Sequence, residues 1–184
     1  MMLVANPATA HAPTPAPRPF SAPVDAYAAY SVESDCSSTV RPGVLAVRDQ
    51  ILLPTYGGTR SDVSMLRSCT AANSGHEEGR ALDWMMDARI AAEAEHARAL
   101  LSWLLATDPA GHPHAMARRL GVMYIVYNNQ VWRAYAPAKA WQPQYVNGVA
   151  CANLGSSYAT WCHRDHVHIW FSWDGANKRT SYWR

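Results

Sequence analysis

Apolar residues recur at helical spacing in RPGVLAVRDQILL, where Val44, Leu45, Val47, Ile51 and Leu52 follow Pro42, a residue suited to a first helical turn. Pro54 is expected to end that helix. DVSMLRS and RALDWMM are short, partly alternating and flanked by polar punctuation, which predicts two strands. The longest periodic segment is RIAAEAEHARALLSWLLAT, with Ile90, Ala94, Ala97, Leu101 and Leu104 on one face and Glu93, Glu95 and Arg98 mainly off it. This helix is predicted to cover the sheet. HAMARRLG adds a second short helical stretch, and VMYIVYNN with VWRAY reads as a hairpin whose Asn-Asn-Gln link supplies the turn. HVHIWFSW closes the chain as a buried strand. Helices and strands that are partly segregated and joined by hairpin connections imply an α+β fold with a mainly antiparallel sheet and flanking helices. There is no internal repeat.

Composition sets the boundaries. Residues 1–35 are rich in Pro, Ala and Ser without an apolar period, so they read as a leader and a disordered linker, and the domain is expected over residues 36–184. The start, MMLVANPATAHAPTPAP, has a short apolar run and an A-x-A pattern at Ala10-His11-Ala12 like the rear of a secretory signal peptide, although the positive front region is missing. No apolar run approaches the roughly 20 residues needed to cross a bilayer. A formal charge of +2 with 16% charged residues lacks the basic excess of a nucleic-acid binder. A monomer is expected. Eight Trp and nine Tyr against two Phe make the aromatic surface amphipathic, suited to groove walls as well as to cores.

Four Cys with no close C-x-x-C pair fit a disulfide framework better than a zinc ribbon, and with it an extracellular location. Three pairings are possible. Cys36–Cys69 with Cys151–Cys162 is preferred, since the first pair flanks the first helix and strand and the second brackets a Gly/Ser-containing loop. Four buried free thiols in a cytosolic protein are the alternative.

The candidate chemistry lies in SGHEEGRALD and HRDHVHI. His76 and Asp83 are spaced H-x6-D, with Gly79 between them where a tight turn could bring a loop ligand and a strand ligand together. Imidazole nitrogen and carboxylate oxygen both suit Zn²⁺ at roughly 2.0–2.2 Å, and a catalytic site needs three protein ligands and an open position. An extended HVHIW puts His166 and His168 on one face, because side chains alternate, and sends Asp165 and Val167 the other way unless the start of the strand is irregular. His11, His96, His112 and His114 read as solvent-exposed, and His163 as a possible further member of the site.

Ser74, His76, Gly79, Ala81 and Asp83, followed by Asp165 and His168, form S-x-H-x2-G-x-A-x-D and D-x-x-H, which resemble the zinc-peptidase superfamily of lysostaphin, D-Ala-D-Ala metallopeptidases and hedgehog domains. The chain looks most like the D-alanyl-D-alanine carboxypeptidase branch and related L-alanyl-D-glutamate endopeptidases, in particular a secreted subgroup from high-GC Gram-positive bacteria with a segment like YIVYNNQVW. The resemblance spans residues 42–173. It implies zinc held by His76, Asp83 and His168, with Asp165 as general base and acid. Other branches use the first member of an H-x-H pair, which is His166 here, so the base is Asp165 or His166, with Asp165 narrowly preferred. SMLRS resembles the family's S-G-Y-R-S strand and implies a substrate or oxyanion contact for Arg67, although Met65 and Leu66 depart from that pattern. Ser74 is a candidate for hydrogen bonding within the site.

The implied activity is hydrolysis of amide bonds in peptidoglycan stem peptides, of carboxypeptidase or endopeptidase type, by a secreted, cell-wall-associated enzyme. An inactive zinc-bearing cell-wall module is the alternative. A histidine-triad hydrolase is excluded, because the third alternating position holds Trp170.

Overall fold

The computed structural model describes residues 14–15, 19–70 and 74–184. The A-x-A pattern and His11 lie outside the described residues. Helix α1 (Pro42–Val47) starts at the proline as expected, then passes through a π-type turn at Arg48–Leu52 into α2 (Leu53–Tyr56). Pro54 therefore does not stop it. The Leu53 N–H bonds the Arg48 carbonyl five residues back, and the widened turn carries the helix past a residue that has no N–H of its own. Gly57, at φ 89°, ends it.

Strand β1 is only Val63–Ser64, shorter than DVSMLRS suggests, and pairs with β2 (Ala81–Trp84). All four residues of β2 are buried, because the strand is covered on both faces. Helix α3 (Ala91–Leu105) buries Ala94, Ala97, Leu101 and Leu104 as its period requires. Ile90 is an exception. It is the extended residue before the first turn and is 49% exposed. Helix α4 (Ala115–Leu120) ends at left-handed Gly121. Strands β3 (Val122–Tyr127) and β4 (Gln130–Arg133) form the expected hairpin, whose two turn residues, Asn128 and Asn129, both have positive φ.

Strand β5 (Gln142–Pro143) and the small hairpin β6 (Tyr145–Val146) and β7 (Val149–Ala150) were not foreseen, although Asn147-Gly148 is a two-residue turn signal. Strand β8 is Val167–Phe171, buried throughout, and stops short of Trp173 because Ser172 accepts a hydrogen bond from the Gly175 N–H and starts α5 (Trp173–Ala176).

The six-stranded sheet runs β1-β2-β8-β3-β4-β5, with every neighbouring pair antiparallel, and helices flank it. The fold is thus α+β, as the pattern of elements predicts. The last strand lies in the middle of the sheet, between β2 and β3, so the C-terminal motif closes on the N-terminal one.

Composition marks residues 19–35 as linker, yet this stretch packs along the domain. Phe20 and Tyr27 lie against the core. Arg119 donates to the Ala22 carbonyl and sits over the Phe20 ring, and the Ser181 N–H bonds Asp25. The local sequence has no period because the segment makes no regular structure, and apart from the bonds of Asp35 to Cys36 and Arg41 its hydrogen bonds reach distant parts of the chain. The disulfides are Cys36–Cys69 and Cys151–Cys162. Among the described residues no helix is long and apolar enough to cross a membrane.

Candidate metal centre

Antiparallel register places Asp83 of β2 directly opposite His168 of β8, which faces Val126 of β3 on its other side. Cross-strand partners share a face, so the carboxylate and the imidazole meet without any loop to position them. His76 arrives from the turn before β2. Gly79, at φ 67°, completes that turn, and a Cβ there would lie 2.3 Å from the Thr39 carbonyl, so both its conformation and its surroundings require glycine. Glu77 ties the turn to Thr70, bonding its N–H at 3.0 Å and its hydroxyl at 2.6 Å.

Three atoms converge. His76 Nε2 lies 3.1 Å from Asp83 Oδ1 and 3.3 Å from His168 Nδ1, and His168 Nδ1 lies 2.7 Å from Asp83 Oδ1. All three residues are buried, and their ligand atoms lie within 4.8 Å of one another, a group able to hold a metal ion. Hydrogen bonds alone serve this triangle poorly. An ionised carboxylate only accepts, so both imidazole nitrogens must present N–H to Oδ1 and then face each other as donors. One cation in place of those two protons engages all three atoms. Tetrahedral bonds of about 2.0–2.2 Å hold ligand atoms roughly 3.3–3.6 Å apart; the two distances from His76 come near this, whereas the 2.7 Å between His168 and Asp83 is that of a hydrogen bond.

The charge states also fit. Burial alone would raise the Asp83 carboxyl, but the hydrogen bonds from His168 and His76 outweigh it and hold the group far below the usual carboxylate range. Burial lowers His168 despite its bond to Asp83, a shift toward the neutral imidazole that ligation requires.

The group forms part of the lining of a cavity of about 530 Å³, with Arg67, Ser74, His163 and His166 also in its wall. His166 and His168 share a face, as alternation requires. His166 Nε2 is 3.6 Å from Asp83 Oδ1, and its Nδ1 is 2.7 Å from Asp165 Oδ1. Asp165, the preferred base in the sequence, does not line the cavity; it stands behind His166 and takes a second hydrogen bond from the Thr160 hydroxyl at 2.5 Å. Burial would raise Asp165, but the bonds from Thr160 and His166 prevail and lower it, keeping the carboxylate ionised. Being acceptor-only, it fixes His166 with Nδ1–H donating and Nε2 as the free acceptor.

Arg67 is half exposed and donates to Asp83 Oδ2 at 2.9 Å. Ser74 accepts from the His76 N–H at 3.3 Å, a bond within the turn. His163 does join the site, with its ring 4.7 Å from that of His166 and 5.4 Å from that of His168. Burial, with the nearby charges of His168 and His166, pushes its pKa down to about 3. Of the histidines expected in solvent, His96 and His112 are exposed. His114 is partly buried, with Nδ1 2.9 Å from the Tyr27 hydroxyl, because the docked 19–35 segment covers it. Glu33, Tyr124 and Trp161 also line the cavity, although the sequence reading passed over them. Tyr124 was legible, since alternation along β3 puts it on the face of Val126, the partner of His168. Glu33 carried no local signal. A cavity of similar volume beside α3, lined by Leu101, Leu105 and Trp141 among others, contains no metal-ligating side chain.

Fold and site together define an α+β domain with a buried two-histidine, one-carboxylate group at the centre of an antiparallel sheet. Residues 36–155 match the family model described as VldE, C-terminal domain, and the chain belongs to that family. The match includes His76 and Asp83 and ends before β8, which carries His168. No curated protein and no solved structure matches the chain.

Proposed function

We propose that the protein is a secreted zinc peptidase that hydrolyses amide bonds in peptidoglycan stem peptides. The convergence of His76 Nε2, Asp83 Oδ1 and His168 Nδ1 beneath an open cavity carries this reading, together with the motif resemblance and the two disulfides, which fit an oxidising compartment. His76, Asp83 and His168 would hold the ion, two nitrogens and an oxygen being a donor set suited to zinc. Zinc in such a site supplies Lewis acidity, which polarises a carbonyl and activates water.

The protein's own groups divide the remaining work. His166 Nε2 accepts the proton of the attacking water and returns it to the leaving amine, while Asp165 keeps the ring in the required tautomer. Arg67, anchored through one nitrogen on Asp83, has further N–H groups to offer a substrate carboxylate or a developing oxyanion. Purified protein is expected to contain about one zinc per chain and to release a product of defined mass from muropeptides, with activity abolished by a chelator and restored by zinc. Metal-free protein after gentle purification, or intact muropeptides with zinc-loaded protein, would overturn the proposal.

A further inference from the structure

The cavity over the metal centre continues sideways. Glu33 and Tyr124 line both it and a neighbouring cavity of about 280 Å³, which adds Arg133, Tyr30 and Tyr135. Tyr30 and Tyr135 meet edge to face, ring centroids 5.3 Å apart, and form its rim. Glu33 and Arg133 are each only partly exposed, and among the described residues neither side chain has an ion-pair or hydrogen-bond partner. Opposite charges in the wall of one cavity attract each other. Here they face one small cavity without pairing with each other.

A ligand with ammonium alone would meet the guanidinium, and one with carboxylate alone would meet Glu33. Only a group with both charges satisfies both side chains, and the aromatic walls suit an aliphatic stem leading to it. We infer that this second cavity is a subsite for a zwitterionic amino-acid head at the end of an aliphatic side chain, with Glu33 taking its ammonium and Arg133 its carboxylate. The inference rests on the reading that the main cavity receives a peptide.

Segment 31–35 supplies Glu33 and is fastened in place. Glu78, fully buried, accepts from the Ser34 and Asp35 N–H groups at 2.9 and 3.2 Å, and its other oxygen holds Arg80 Nε at 2.5 Å. Arg80 in turn donates to the Ser31 carbonyl at 3.2 Å.

The test is calorimetric titration of the full, zinc-loaded chain with four tripeptides of common backbone. Their one long side chain ends in a zwitterionic head, an ammonium, a carboxylate or a neutral amide. The zwitterionic probe should bind about tenfold tighter than either singly charged one. Glu33→Gln should remove its advantage over the carboxylate probe, and Arg133→Gln its advantage over the ammonium probe, with zinc content unchanged in both. Equal affinity for all four probes, binding of none at millimolar concentration, or undiminished discrimination in both variants would overturn the subsite. Mass analysis of the same mixtures separates the two ideas: selective binding without cleavage removes the peptidase and keeps the subsite, and cleavage without selectivity does the reverse.

Discussion

His166 and Asp165 adjoin in sequence but occupy different positions in the site. His166 faces the cavity and Asp165 supports it from behind, so the two substitutions should differ. His166→Ala is expected to keep fold and zinc while lowering hydrolysis by about 10²–10⁴-fold, and Asp165→Asn by the smaller 10–100-fold typical of orienting groups. Steady-state rates with matched metal content check the order. An Asp165→Asn loss equal to or larger than that of His166→Ala would return the base to Asp165. Residue types and spacing made His76 and Asp83 legible as candidate ligands, whereas the choice of His168 over His166, which shares its face, came from the motif resemblance. Alternation along HVHIW also sends Asp165 away from the face of His166, as found; what left no sign in the sequence was its support by the Thr160 hydroxyl, five residues upstream.

Among the elements, the segment before the first helix departs most from expectation. Its Pro/Ala/Ser composition suggests a linker, whereas Glu78 and Arg80, with Arg80 between Trp170 and Trp173, clamp it to the sheet. Both clamp side chains are fully buried. Removing one partner of a buried pair leaves the other uncompensated, so Glu78→Gln should cost about 3–5 kcal/mol and expose residues 19–35 to proteolysis. Urea unfolding and limited digestion measure both, and unchanged values would show that the clamp is dispensable. The periodic elements, α1, α3 and the β3–β4 hairpin, were readable because their partners are the core in general. The clamp was not, because its evidence lies in pairings across more than forty residues of sequence.

For the molecule as a whole, the docked segment links stability to pH. Burial, with Arg118 nearby, lowers the pKa of His114 from its ordinary 6.5. Below pH 6.5 the unfolded chain therefore takes up a proton that the folded one resists, and the contribution of His114 is present above that pH and lost as the pH falls through the folded value. Thermal unfolding between pH 7.5 and 5 should show a decline that is shallower in His114→Gln, which cannot titrate; parallel curves would remove His114 from the account. The antiparallel class was legible from the short strands and turn signals, whereas the central place of the last strand was not, since strand order leaves no local trace.

That strand order has a consequence for how the protein matures. Because Asp83 and His168 meet only when β2 and β8 are aligned as Asp83↔His168, sliding either strand by one position turns its ligand to the opposite face. An ion held by this group would therefore stabilise the correctly aligned chain alone, so metal present during folding would select that alignment over its neighbours.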